Sequence, residues 1–447
     1  MKTQKTTLVL GSILVIMTFL VQCSTKEKTR NTPDESGDPD SWGSSINGHA
    51  NDMLEKGKAV FRFETFGDEV FWTDKLQLHK VLVDEEHGGT GKGLLPKDAL
   101  AAGLKVDLML LPAFLKEKIK DGKFLDDPLV TYELLKLNAV IGVVAQFDGK
   151  KIKSVGITCA SCHSTVDSET GIGNRLDGWP NRDLNVGAII SMAPDLSVYE
   201  KLLEVDNATV KKVLASWGPG KFDALLNLDG KAFRPDGKSA ATLIPEAYGH
   251  AGHNLHTWTG GWGNVTYWNA YVANLEMQGQ GHFYDPRLMN AKQYPVAAKA
   301  GYGNKRTNDS DYVTSKLAAL QFYQLAMPAP EAPKNSYNAE AANRGMLLFN
   351  GKAQCATCHV PPLFAEPGWN THKPEELCID DFQSGRSPDK SYVTQGLKGL
   401  WAHSKGGFYH DGRFATLMDV VNHYNTCKTL NLTEPEKNDL VEYLKSL

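Results

Sequence analysis

The chain has 447 residues, of which 41% are hydrophobic and 22% are charged, and its formal net charge is −4 at pH 7. This length is enough for roughly two or three domains with sizeable cores. The small net charge and the lack of any block of Lys or Arg exclude a basic surface for nucleic acid, so we expect no nucleic-acid partner.

The first 23 residues are typical of an export signal. MKTQK is a short basic stretch, an apolar run too short to cross a membrane follows it, and Cys23 comes directly after Leu20-Val21-Gln22. The pattern resembles a bacterial lipoprotein box, although Gln22 departs from the small residue usual before the cysteine. We predict a lipoprotein-type signal peptide over residues 1–23, and a protein anchored through lipidated Cys23 to a membrane, in the periplasm or on the outer surface of a bacterium. Ordinary signal cleavage is the alternative.

Two segments of different character follow the signal. Residues 24–47 are polar and rich in Pro, Ser and Gly, which predicts a flexible linker. Residues 48–150 show mostly helical spacing of apolar residues, as in VFWTDKLQLHKVL and DPLVTYELLKLNAVIGVV. This spacing predicts an N-terminal helical extension.

Two Cys-x-x-Cys-His motifs lie far apart in the chain; their residues are Cys159, Cys162 and His163 in the first, and Cys355, Cys358 and His359 in the second. A zinc ribbon needs its second cysteine pair close by, and a redox dithiol needs a strand before it that neither motif clearly has. A histidine directly after the second cysteine is typical of covalent haem attachment, where it becomes an axial iron ligand. We therefore predict two haem c groups.

The motifs divide the rest of the chain into two predicted haem domains. Residues 151–330 carry the first motif within Gly- and Trp-rich text, and a Pro-Ala segment over 326–336 precedes the second domain, 336–447. In that domain Asn338 is placed to cap a helix, and Thr433 and Glu436 have capping-box spacing at the start of a closing helix. The remaining pair, Cys378 and Cys427, forms either a disulfide or two free buried thiols.

The C-terminal text NRGMLLFNGKAQCATCHVPPLF, GRSPDKSYVTQGLKGLW and GGFYHDGRFATLMDVVNHYN resembles the C-terminal haem domain of the bacterial dihaem cytochrome c peroxidase superfamily. That superfamily includes an enzyme that matures a tryptophan-derived quinone and, more distantly, rubber oxygenases. The resemblance covers about the last 110 residues well and the first motif more loosely. It implies a mainly α fold with two cytochrome c-like haem domains and long loops. It also implies a calcium ion between the domains, for which we assign no ligands.

The resemblance also implies an electron-transfer role for the second haem. Its sixth ligand would lie on the helix after His-Asp-Gly, fourteen residues past His410, which is Tyr424. A phenolate stabilises ferric iron, so this ligand lowers the reduction potential relative to methionine. His410 or His423 as the ligand, and Tyr424 as a buried aromatic, are the alternatives.

The resemblance implies that the first haem contains the reactive iron, at which peroxide or oxygen is reduced. No histidine occurs between His163 and His250, so this iron is expected to be open on one side. Candidates near it are Trp179 and Arg182 at the haem edge, and Glu276, Gln278, Gln280, His282 and Phe283 in the distal pocket. Glu276 is the candidate proton donor. Each of these residues could instead be loop packing. Three roles stay open for His250, His253 and His256: a ligand of the iron, a ligand of another metal, or part of a polar loop.

We therefore expect an exported dihaem redox enzyme of the peroxidase type. Electrons would come from a soluble donor such as a small cytochrome or a copper protein. Two alternatives stay open: an electron-transfer cytochrome without catalytic activity, and an oxygenase that acts on an organic substrate.

Overall fold

The computed structural model describes residues 42–307 and 310–447. The predicted signal peptide, Cys23 and residues 24–41 of the predicted linker lie outside these residues. Residues 42–47 of that linker are helical, so the flexible linker predicted over 24–47 is wrong for this part. Residues 52–447 form one compact unit, which contains both Cys-x-x-Cys-His motifs. None of the helices in the described ranges is long and apolar enough to cross a membrane.

The fold is mainly α, as predicted. The helices, in chain order, are α1 (Trp42–Phe63), α2 (His79–Leu82), α3 (Pro96–Ala101), α4 (Ala113–Lys120), α5 (Pro128–Lys136), α6 (Ala160–His163), α7 (Val186–Ser191), α8 (Ser197–Leu203), α9 (Asn207–Trp217), α10 (Leu226–Asp229), α11 (Val265–Tyr271), α12 (Pro295–Ala300), α13 (Thr314–Ala326), α14 (Ala339–Asn350), α15 (Phe382–Gly385), α16 (Leu417–Cys427) and α17 (Glu434–Ser446). Single π-helical turns cover Val70–Lys75 and Val272–Glu276.

The strands are short, and they are β1 (Val106–Asp107), β2 (Val143–Asp148), β3 (Lys151–Ile157), β4 (Ser164–Val166), β5 (Ile172–Gly173), β6 (Arg175–Asp177), β7 (Lys221–Phe222), β8 (Thr242–Leu243), β9 (Phe283–Tyr284) and β10 (Asn304–Lys305). Among the described residues they pair only in twos. The longest pair is the antiparallel hairpin of β2 and β3, in which Val143 lies opposite Ile157.

The segment predicted as a helical extension is less regular than its apolar spacing indicated. Gln77 adopts a left-handed conformation with φ of 58°, and this residue separates the π-helical turn from α2. The helix predicted over DPLVTYELLKLNAVIGVV ends with α5, and the chain then enters β2. Trp72 and Leu135 from this segment share one hydrophobic core with Ile190 and Trp217, so the segment packs against the chain around the first motif.

The C-terminal part is built on two helices that cross closely, α14 and α17. The predicted caps are confirmed: Oδ1 of Asn338 accepts a hydrogen bond from the amide of Ala341 at 2.9 Å, and Thr433 and Glu436 form a capping box. At the crossing, Gly345 lies so close to α17 that a Cβ atom would stand 2.0 Å from the carbonyl oxygen of Asp439.

One disulfide and a pair of ionic contacts from one arginine hold the C-terminal part in place. Cys378 and Cys427 form a disulfide with their Cα atoms 5.9 Å apart, which fixes the end of α16 to the preceding loop. Arg386 is fully buried and makes ion pairs with Asp223 at 2.9 Å and with Asp229 at 2.8 Å. Because a buried charge needs a partner, these pairs fix the position of the Arg386 loop against the chain that follows α9.

Candidate functional site

The first motif follows the hairpin directly. Cys159 comes two residues after β3, and α6 carries Cys162 and His163. Neither cysteine is in a disulfide, and burial raises the pKa of each thiol to about 12. A redox dithiol has the opposite property, a lowered thiol pKa. The surroundings of the pair therefore argue against thiol-disulfide exchange.

The histidines of the two motifs are held in the same way. Nδ1 of His163 lies 3.1 Å from the carbonyl oxygen of Pro245, and Nδ1 of His359 lies 3.1 Å from that of Phe364. A carbonyl oxygen can only accept, so each Nδ1 carries the proton and donates it. The lone pair of each Nε2 is then free to bind a metal, and the backbone carbonyl fixes the orientation of the ring.

A large cavity lies beside His163. It contains about 2110 Å³ of atom-free space, part of which is open to solvent. Its walls are mainly apolar and aromatic, and they come from distant parts of the chain, including Trp72, Tyr199, Trp217 and Trp268. Cys159, Cys162 and His163 all lie on this wall, so the motif faces a space suited to a large, mostly apolar group.

Glu276 is the ionisable candidate that the structure places on the same wall. It ends the π-helical turn after α11 and is buried, and Oη of Tyr271 donates a 2.9 Å hydrogen bond to its Oε1. Its Oε2 is buried without a hydrogen-bond partner. Burial raises the pKa of Glu276 well above its usual range, because it disfavours the charged form of the carboxyl group.

The other candidate residues of the EMQGQGHFYD segment lie outside this cavity wall. Gln278 has φ of 64° and its Nε2 donates to the carbonyl of Leu275; it lines a second cavity together with Tyr302. The remaining three, which are Gln280, His282 and Phe283, are not on the wall of the cavity beside His163. Gln280 donates to the carbonyl oxygen of Gln278, His282 contacts the carbonyl of Thr307 at 3.1 Å, and Phe283 packs in an aromatic core with Tyr271.

The second motif lies against a hydrophobic core, on which Cys355 and Ala356 pack as partly buried residues. Tyr424 on α16 is half-buried and packs with Cys355, Phe349 and Leu400. Burial is the main cause that raises the pKa of Tyr424, and both Cys355 and Cys358 are near enough to affect it electrostatically. The structure therefore places Tyr424 beside the second motif.

The alternative ligands for the second motif have other contacts. His423 has its Nε2 2.8 Å from the carbonyl oxygen of Leu377. His410 is buried and stacks on Tyr392 with ring centres 5.2 Å apart. Met418 packs against the same core as Tyr424. This contact makes Met418 a fourth candidate for the sixth ligand.

Comparison with known proteins found relatives but no matching family model. The chain is similar to "Methylamine utilization protein MauG" of Methylorubrum extorquens, with 25% identity over 224 residues, covering 42% of this chain and 61% of the relative. It is also similar to "Cytochrome-c peroxidase IdrP1" of Denitromonas iodatirespirans, with 27% identity over 248 residues, covering 41% and 65%. The IdrP1 of a Pseudomonas species matches at 25% over 250 residues, covering 41% and 64%.

These relatives support the resemblance to the dihaem cytochrome c peroxidase superfamily. The matched part spans less than two thirds of the length of these relatives. The solved structures that resemble the chain include two with low TM-scores. Hydrazine synthase of Kuenenia stuttgartiensis has 20% identity and a TM-score of 0.27, covering 48% of this chain and 76% of that one. The diheme peroxidase BthA of Burkholderia thailandensis has 15% identity and a TM-score of 0.32, covering 52% and 78%.

Both motifs of this chain fit a haem c group. Each offers two thiols outside any disulfide for the thioether bonds and one imidazole whose Nε2 is free to bind iron. The first motif adds the large cavity, and the second adds an aromatic core with Tyr424.

Trp179 lies between the chain regions of the two motifs. The carbonyl oxygen of His163 accepts a 2.8 Å hydrogen bond from the amide of Gly178, so Trp179 follows the first motif in space. Its ring centre is 5.1 Å from that of Trp401, whose neighbour Leu400 packs in the core of the second motif. Arg182, four residues from Gly178, is buried, and burial lowers its pKa to about 10. Neither Trp179 nor Arg182 lines the cavity.

Sequence reasoning missed a polar cluster beside Cys358. His372 is buried, with Nε2 2.6 Å from Oε2 of Glu366 and Nδ1 3.0 Å from Oε2 of Glu376. Hydrogen bonding to Cys358, and then to the two carboxylates, raises the pKa of His372 to about 10. In the sequence, the four-residue spacing of His372 and Glu376 was the feature that could have indicated this cluster. An imidazole with a carboxylate oxygen at each ring nitrogen therefore lies next to the second motif.

Proposed function

We propose that the chain is an exported dihaem c-type redox enzyme that reduces hydrogen peroxide at the His163 site. Electrons would enter from a soluble donor, such as a small cytochrome or a copper protein, through the His359 site. Covalently bound haem would supply the one-electron redox chemistry that protein side chains lack. His163 and His359 would each hold an iron, and Tyr424 would be the second protein ligand at the His359 site.

One asymmetry carries this proposal. The imidazole of His163 is on the wall of a large cavity, whereas the second motif is packed against Tyr424, Phe349 and Leu400. A small oxidant needs space beside the reacting centre, and an electron store works without such space. The two surroundings support different roles for the two motifs, with reaction at the first and storage at the second.

The cavity also contains a proton donor. Burial raises the pKa of Glu276 and so favours its protonated form, and Oε2 is its unpaired oxygen. Tyr271 holds the other oxygen, which fixes the orientation of the carboxyl group. Reduction of peroxide to water consumes protons, so Glu276 would donate one from Oε2 as a general acid. The apolar and aromatic walls would limit the entry of bulk water.

The contact between Trp179 and Trp401 supports a short connection between the two sites. The two rings meet edge to face, with an interplanar angle of 85°. Tyr248 adds a third ring 6.5 Å from Trp179, and its hydroxyl donates to the carbonyl of Gly399 at 2.8 Å. These contacts would keep the two haem-binding segments at a fixed separation, which electron transfer between them requires.

Paired cysteine variants test the division of roles. Cys159→Ser with Cys162→Ser should leave only the second haem, and Cys355→Ser with Cys358→Ser should leave only the first. Pyridine haemochrome spectra measure the haem content of each variant, and electron paramagnetic resonance measures the spin state of the oxidised iron with and without cyanide.

The wild-type protein should show one high-spin and one low-spin signal, and cyanide should convert only the high-spin one. The first variant should lose the high-spin signal and all consumption of peroxide. The second should keep the high-spin signal and lose turnover with a reduced donor. Two low-spin signals that ignore cyanide, before and after partial reduction, would instead identify an electron carrier.

The export of this enzyme is part of the proposal, and the basic start, apolar run and Cys23 support it. A lipid on Cys23 would hold the protein at a membrane surface. The test compares wild-type protein with Cys23→Ser by membrane fractionation and by mass spectrometry of the mature N-terminus. Wild-type protein should be in the membrane fraction and begin at lipidated Cys23. A soluble mature protein that begins beyond Cys23 would contradict the anchor.

A further inference from the structure

Three histidines of the HAGHNLH segment share the wall of the cavity with His163. His250, His253 and His256 are spaced three residues apart, and all three line this cavity. Their ring centres are 4.8 Å apart for His250 and His256, and 6.3 Å apart for the two pairs that include His253. Neither the family resemblance nor the proposed reaction uses these rings.

His256 is the most informative of the three. The residue is 7% exposed, and neither of its ring nitrogens has a hydrogen-bond partner. Burying two unsatisfied polar nitrogens is costly, and native structures normally provide a partner for them. Burial lowers the pKa of His256 to about 4, so its ring is neutral, which is the form that binds metals. The unpaired nitrogens thus point to a ligand.

A carboxylate completes the group. Glu246 lines the same cavity and is close enough to His250 and His253 to interact electrostatically with both. Its Oε2 is buried without a hydrogen bond and lies 3.8 Å from Nδ1 of His403. Three imidazoles and one carboxylate are a common ligand set for zinc and similar first-row transition ions.

The ring positions are close to those of a tetrahedral site. With a metal–nitrogen distance of about 2.1 Å, imidazole centres lie about 3.2 Å from the ion and about 5 Å from each other. His250 and His256 already have this separation, and His253 is about 1 Å too far from each of them. Among the described residues only Cys358, Glu366 and His372 already bring three ligand atoms within 4.8 Å of one another. Binding at the histidines therefore requires a small shift of His253.

We propose that His250, His253, His256 and Glu246 bind one divalent first-row transition ion, with zinc as the reference ion, in the wall of the cavity beside His163. The proposed site uses none of the residues proposed to hold the two irons. It does not depend on peroxide being the substrate. An ion there would place a positive charge on the cavity wall, at a position where an anionic or oxygen-containing ligand can reach it.

Zinc binding to the protein with both haems attached tests this proposal. The protein is stripped with a chelator, titrated with ZnCl₂ by calorimetry, desalted and measured for zinc and iron by mass spectrometry. Wild-type protein should retain about one zinc per two irons, and His256→Gln should weaken zinc binding by about 10-fold or more. His253→Asn, a change at a more exposed ring, should do the same and serves if His256→Gln lowers haem content.

Two controls separate this site from others. His282→Gln changes a histidine outside the cavity, and His372→Gln changes the other set of potential ligands; both should bind zinc as the wild type does. The low-spin and high-spin signals should be the same in all variants. The proposal is overturned if wild-type protein retains no zinc, if only His372→Gln loses it, or if a change at His253 or His256 alters the iron signals, since that change would identify a haem ligand.

Discussion

Oη of Tyr271 donates a 2.9 Å hydrogen bond to Oε1 of Glu276, and both side chains are buried. The two residues lie on consecutive parts of one helical segment, Tyr271 at the end of α11 and Glu276 at the end of the π-helical turn. The extra residue of a π-turn rotates the side chains that follow it, and such turns are frequent at functional sites. Here the turn places Glu276 on the cavity wall beside its partner.

Glu276→Gln should lower peroxide turnover by about 10²- to 10⁴-fold. The amide keeps the oxygen that accepts from Tyr271, but its NH₂ group cannot release a proton at neutral pH. Stopped-flow consumption of peroxide with a reduced donor measures the rate, and haemochrome spectra check that both haems are attached. Tyr271→Phe should cause a smaller loss, because it removes the orienting bond and leaves the acid. Unchanged turnover in Glu276→Gln would remove this residue from the mechanism.

The same substitution should change the dependence of stability on pH. The pKa of Glu276 is higher in the folded state than the ordinary carboxyl pKa of about 4.3. At a pH between these two pKa values, the unfolded chain has released a proton that the folded chain keeps. Wild-type stability therefore falls as pH rises through this range, by up to about 1.4 kcal/mol per pH unit from this group. Glu276→Gln has no such loss. Urea denaturation at pH 5 and pH 8 measures the free energy of unfolding of both proteins. The value for Glu276→Gln relative to the wild type should be higher at pH 8 than at pH 5. An equal difference at the two pH values would contradict the raised pKa.

The sequence predicted local features well where a few neighbouring residues decide them. The caps at Asn338 and Thr433 are confirmed, since each depends on a side chain and an amide three residues away. The cavity was not predictable, because its wall combines Trp72, His163 and Glu276 from distant parts of the chain. Even within one segment the pattern was insufficient, since the left-handed conformation of Gln278 turns that side chain away from Glu276. The pairing of Cys378 with Cys427 was likewise open until the fold brought them together.

Gly345→Ala should destabilise the C-terminal part by about 1–3 kcal/mol. Alanine favours a helix over glycine by up to about 1 kcal/mol, but the added Cβ would stand 2.0 Å from the carbonyl oxygen of Asp439 on α17. Backbone atoms cannot move away without separating the helices, so the clash outweighs the propensity. Gly385→Ala is the matched control, because nothing lies within 4 Å of the position that its added Cβ would take. Equal unfolding free energies for the two variants would show that α14 and α17 do not cross this closely.

Tyr424→Phe should keep both haems attached and change the low-spin signal of the second one. The thioether bonds at Cys355 and Cys358 do not depend on the sixth ligand, so haem content should equal that of the wild type. Loss of the phenolate removes a hard anionic ligand that stabilises ferric iron, so the reduction potential of this haem should rise. Redox titration followed by optical absorbance measures the potential, and electron paramagnetic resonance measures the spin state.

Three further substitutions distinguish Tyr424 from its neighbours. Met418→Leu keeps the apolar packing of the core that Met418 and Tyr424 share, and it removes the thioether as a ligand. His423→Ala frees the carbonyl of Leu377, and His410→Ala removes the ring stacked on Tyr392. If Tyr424 is the ligand, all three should retain the wild-type low-spin signal. If Tyr424→Phe has the wild-type spectrum and one of these three variants does not, the ligand is the residue changed in that variant, because the sixth position of an iron accepts one ligand at a time.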